Sequence, residues 1–88
     1  MLTREEHPVA WAMLLHELAD AHQHLGALLA QMLAVGEAEE ADFAVQLGHV
    51  LAHLNRAWHG RDDTRLDAIT GEQHSERSRY PSDLPPVG

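Results

Sequence analysis

His49 and His53 stand four residues apart, the separation at which two imidazoles on one helix face can share a single ion. They belong to a polar stripe of helical period, Asp42, Gln46, His49, His53 and Arg56, and an earlier stripe carries His16, Glu17, Asp20 and His24. Imidazole and carboxylate are donors that divalent transition metals accept. A divalent metal is therefore the cofactor class the chain allows, with His49 and His53 as ligands and Glu17, Asp20 or His24 as candidates to complete the set. Spacing narrows the chemistry further. A hydrolytic zinc helix needs glutamate directly after the first histidine, and Val50 stands there. A di-iron bundle needs Glu-x-x-His pairs facing its core, whereas Glu17 is followed three residues on by Asp20. Taken by themselves, both stripes are expected to project toward solvent or the edge of the core as hydrogen-bonded, solvated faces.

Other chemistry is closed off by composition. The chain has no cysteine and no lysine, its six basic residues all being arginine, so there is no thiolate nucleophile, cysteine zinc site, Schiff-base amine or phosphate-loop lysine. No Gly-x-Ser-x-Gly elbow or Ser/His/Asp set is recognisable, and no enzymatic activity is expected. Arg56, Arg61 and Arg65, with Asn55 and Trp58, form a small basic patch. It could clamp a carboxylate or phosphate of a partner, although arginines near a helix C-terminus also suit the helix dipole.

The elements that must position these groups are two helices. Trp11, Leu14, Leu18, Ala21, Leu25, Leu28, Met32 and Val35 recur in steps of three and four, as do Phe43, Leu47, Val50, Leu54 and Ala57, which keeps one face of each helix apolar. Pro8 suits the first position of helix 1, after a lead-in turn over Thr3 to Glu6. The helix runs to about Val35, and Gly36 supplies a left-handed stop. Gly26, inside this helix, predicts a close helix crossing. The acids Glu37, Glu39, Glu40 and Asp42 suit the start of helix 2, which runs to about His59 and ends at Gly60. So short a connection predicts an antiparallel hairpin over 1–60. Asp62, Asp63 and Thr64 predict a short third helix within 61–71, and the polar, proline-containing segment 72–88 reads as an extended or disordered tail whose removal should cost within about 1 kcal/mol.

The apolar arc on helix 1 is wider than a two-helix seam needs, because Leu15, Leu29 and Leu33 extend it on one side. A chain this short gains most from a second copy. The expected architecture is all-α: an antiparallel hairpin that pairs as a homodimer into a four-helix bundle, with Trp11, Leu14, Leu15, Leu18, His22, Leu25, Leu29, Phe43, Leu47, Leu54 and Trp58 in the oligomer interface. His22, spaced seven residues from Leu15 and from Leu29, reads as an interface histidine. Trp11 and Trp58 fall at the same end of the hairpin as an aromatic plug or a partner anchor.

Fourteen acids against six arginines give a formal net charge of −8, which repels phosphate backbones and disfavours direct nucleic-acid binding. The longest apolar run, Val9 to Leu15, is far short of the ~20 residues a membrane helix requires, and the first residues lack a secretory pattern, so no membrane association and a cytoplasmic location are expected. The leading functional expectation is an acidic helical module that binds another protein as adaptor, regulator or inhibitor. The alternative is a metal-binding bundle of redox or storage type.

Overall fold

The computed structural model describes residues 1–65 and 71–85. They form three helices: α1 over Pro8–Val35, α2 over Glu40–His59 and α3 over Gly71–Arg77. Both long helices have the bounds that their stop and start residues predict. Thr3 to Glu6 make the lead-in turn, in which the Glu6 N–H donates to Thr3 Oγ1 at 3.2 Å and the His7 N–H to the Thr3 carbonyl at 3.0 Å. Pro8 then opens α1 where a missing N–H is harmless. Gly36 closes it at φ 79°, its N–H donating to the Met32 carbonyl at 2.9 Å, a backbone conformation that a β-carbon disfavours. Glu40 and Asp42 occupy the first turn of α2, and Arg56 and His59 its last, each sign at the end the dipole favours. At 1.5 Å per residue α1 is about 42 Å long, nearly the full 45 Å long axis of the molecule.

α1 and α2 pack along each other as an antiparallel hairpin, and α3 touches α2. Among the described residues the buried apolar set is thin: Leu2, Ala10, Leu14, Ala21, Leu28, Val50 and Ala57. Ala10, Ala21 and Ala57 contribute little apolar area to it. The open end of the hairpin holds the tightest cluster, where Leu2, Ala10, Leu14 and Ala57 pack with Trp11 against them. The N-terminal residues are pinned there: the Leu2 N–H donates to the Arg61 carbonyl at 2.7 Å, and the terminal ammonium pairs with Asp62. Trp11 is thus the aromatic plug expected at this end, although its Nε1 is buried without an acceptor.

Two expectations require correction, and a third lies outside the described residues. Gly26 marks no close crossing, since a β-carbon built there meets nothing within 4 Å. The span 72–88 is not simply an extended tail, because α3 occupies Gly71–Arg77 and Ser78 and Asp83 beyond it bond to α2. Asn55 Nδ2 donates to the Ser78 carbonyl and Arg56 Nη1 to Ser78 Oγ, both at 2.8 Å, while Trp58 Nε1 donates to Asp83 at 2.9 Å and Pro81 is buried. Polar composition hid this, because the segment is held by hydrogen bonds rather than by apolar area. The third helix expected within 61–71 falls largely on 66–70, outside the described residues. Within the described residues, Asp63 accepts the Arg65 N–H at 2.9 Å. Among the described residues no helix is long and apolar enough to cross a membrane.

Candidate functional site

The hairpin has two flanks of opposite character. Helical geometry places about 100° between successive residues. Measured from buried Leu14, the residues Leu15, Leu18, Leu25, Leu29 and Leu33 of α1 fall at about +20° to +100°, and Glu17 and His24 at about −60° and −80°. Measured from buried Val50 on α2, Leu47, Leu51 and Leu54 lie at about +40° to +100°, whereas His49, His53 and Arg56 lie at about −60° to −120°. In two antiparallel helices that face each other, the same rotational sense leads to the same flank. These leucines therefore share one side of the hairpin, and Glu17, His24, His49, His53 and Arg56 the other.

On the polar flank the stripes meet rather than face solvent separately. Glu17 of α1 reaches both His53 and Arg56 of α2: its Oε2 accepts from His53 Nδ1 at 2.8 Å, and Arg56 Nε lies 3.3 Å from both carboxylate oxygens. Arg56 Nη2 also stands 3.0 Å from His53 Nδ1. One nitrogen cannot donate to Glu17 and accept from Arg56 together. The carboxylate is the closer and the more strongly attracting partner, so Nδ1 of a neutral His53 carries the hydrogen and Nε2 keeps its lone pair. His53 is the one buried polar residue among those described. Two turns along α1 from Glu17, His24 stacks on His49 with ring centroids 4.6 Å apart and on His53 at 5.3 Å, and His49 lies 5.4 Å from His53. Each of the three offers a nitrogen within 4.8 Å of those of the others. His16 and Asp20, the remaining members of the α1 stripe, instead pair with each other at 3.4 Å on the outer surface.

The sequence placed His49 and His53 together and left His24 and Glu17 as options. Their meeting was legible only in register: His24 and His49 lie about equally far from the turn at Gly36, so antiparallel folding sets them opposite one another.

The leucine flank is bare. Leu15, Leu18, Leu25, Leu29, Leu33, Leu51 and Leu54 are each at least 42% exposed. His22, at about +80° on the same wheel, is exposed among them. Phe43 and Leu47 are half-buried between the helices. Two residues assigned to an oligomer interface are placed differently: Leu14 is buried inside the hairpin and Trp11 packs on the same core. A periodic stripe cannot divide its width between the neighbouring helix of the hairpin and a second chain, and the fold spends its centre on the former. Trp58 is occupied too, with the Arg61 guanidinium 3.8 Å above its ring and Asp83 on its Nε1.

The basic patch is not an open clamp. Arg56 is held by Glu17 and Ser78, Arg61 donates to the Trp58 carbonyl and Asp83, and Arg65 pairs with Asp63 at 3.0 Å. Arg77 reaches the same Asp63 at 2.6 Å. The Asp63 carboxyl accordingly sits well below its ordinary range, chiefly through the side-chain hydrogen bond from Arg65, with the Arg65 N–H and Arg77 adding to it. Asp83 is lowered by the hydrogen bond from Trp58, and Asp62 by that from the terminal ammonium. These arginines fasten the chain to itself.

At the turn end, Leu28, Met32 and Phe43 floor a shallow depression rimmed by Glu37, Glu39 and Asp42. No protein-family model, curated protein or solved structure matches this chain.

Proposed function

We propose that the protein is a self-assembling acidic helical module whose first partner is a second copy of itself, the two hairpins closing their leucine flanks into a four-helix bundle. The observation that carries this is the surface left uncovered. The chain exposes 6612 Å², whereas a compact monomer of 9.8 kDa exposes about 5,200 Å². The surplus of roughly 1,400 Å² exceeds the ~800 Å² that each partner brings to a standard interface.

Charge supports the same choice of face. Two copies each at −8 repel, so the contact must be made where acids are absent. Glu17 and Asp20 point away from the leucine flank of α1, and on α2 only Glu40, at its first residue, shares that side. A two-fold axis would set the leucine rows of both copies against each other, with His22 as the polar member able to bond across it. The assembled bundle keeps its acidic outer faces for a protein partner, in the manner of an adaptor, regulator or inhibitor.

Light scattering coupled to size exclusion tests the assembly. The full chain should weigh two copies at ~50 µM, and Leu18→Asp or Leu25→Asp should halve that mass by placing an unpaired carboxylate in the seam. A monomeric wild-type chain with retained helicity overturns the proposal, as do variants that remain dimeric.

A further inference from the structure

The geometry points to a binding site for one divalent transition-metal ion on the polar flank, with His24, His49 and His53 as ligands and Glu17 as the residue that positions His53. This site lies on the opposite flank from the proposed dimer contact and does not depend on it.

The donor set comes first. Three imidazoles offer nitrogens that all lie within 4.8 Å of one another. Around a tetrahedral ion with metal–nitrogen bonds of about 2.0–2.1 Å, the ligand nitrogens are about 3.4 Å apart. The two rings whose nitrogens can swing inward to close the difference, His24 and His49, are exposed. His53 is the fixed ligand: it is buried, and its Nδ1 is committed to Glu17 at 2.8 Å. This leaves Nε2 as the nitrogen it can offer. A carboxylate behind an imidazole selects the tautomer, orients the ring and raises its basicity, the arrangement that supports histidine ligands in metal sites generally.

The site is also electrostatically suited. Glu17 offsets the nearby Arg56 guanidinium, and the chain as a whole is strongly acidic, which raises the local concentration of cations. Three nitrogen donors without a thiolate favour zinc, nickel, copper or cobalt over calcium or magnesium, which prefer oxygen. With three protein ligands, a fourth position stays open to water or to a group from outside.

The test is a titration of the full-length chain, purified without a histidine tag, with zinc chloride by calorimetry and with cobalt(II) chloride by visible absorption. One ion per chain is expected, with the intense visible bands of four-coordinate cobalt. His24→Ala and His49→Ala, both at exposed positions, should each weaken binding at least tenfold. Glu17→Gln should weaken it by about 10- to 100-fold, while His16→Ala and His22→Ala leave it unchanged. Absence of a one-to-one complex, or binding that persists in the His24→Ala, His49→Ala double variant, overturns the assignment. Weakening by Glu17→Gln no greater than that by His16→Ala overturns the positioning role. Dimer mass, read on the same samples, separates this result from the fate of the assembly proposal.

Discussion

Glu17→Ala is the most informative single perturbation of the fold, because one carboxylate joins the two long helices through both His53 and Arg56. Removing it strands a guanidinium whose side chain is only 10% exposed. Breaking a fully buried ion pair from one side costs about 3–5 kcal/mol. Two features reduce the figure here. Glu17 is 30% exposed, so water reaches the vacated space, and Arg56 retains the Ser78 hydroxyl at 2.8 Å. The expected loss is about 2 kcal/mol, a large share of the ~4–13 kcal/mol available to a chain of this length. Urea unfolding followed by circular dichroism, at one protein concentration and with chelator present, measures it without contributions from metal or mass action. Adding Arg56→Ala and the double variant completes a cycle, and the coupling between the two positions should be about 1–2 kcal/mol. A loss under about 0.5 kcal/mol for Glu17→Ala, or additive single changes, would refute the claim that this pair fastens α1 to α2.

Deleting residues 72–88 should cost more than about 1 kcal/mol by the same assay, because Asn55 and Arg56 lose their bonds to Ser78 and the burial of Pro81 is undone. Gly36→Ala should destabilise by about 1 kcal/mol. Its φ of 79° penalises a β-carbon, and since that carbon would meet nothing within 4 Å the loss is purely conformational. Gly48→Ala, inside α2 and equally open, should raise the melting temperature, by the ~0.5–1 kcal/mol that alanine gains over glycine in a helix. Acid acts through Asp63, whose carboxyl is held below its ordinary range by Arg65 and Arg77. Its stabilising contribution is present in full above the unfolded value near ~3.9 and is lost as pH falls below it toward the depressed folded value. Melting temperatures should therefore drop between pH 4 and 2, by less in Asp63→Asn than in the wild-type chain.

Local and periodic information sufficed for the two long helices. Pro8, Gly36, the acids before Phe43 and Gly60 mark ends that depend on backbone and dipole energetics within a few residues, and the three-and-four spacing of leucines marks which face is apolar. The spacing also predicts an apolar face broader than the neighbouring helix covers, and Leu15, Leu18, Leu25, Leu29 and Leu33 are exposed. What it could not do was apportion that face. Whether Leu14 packs inside the chain while Leu15 and Leu18 remain outside depends on the rotation of α1 against α2, and a difference of tens of degrees in that rotation changes the answer. The same rotation brings Glu17 and His24 onto His49, His53 and Arg56, converting two stripes that look solvated one at a time into a shared cluster. Periodicity describes each helix about its own axis, whereas contacts across the hairpin depend on register and relative rotation. Those are set only when both helices, the Gly36 turn and the segment after α2 find one packing that satisfies them together.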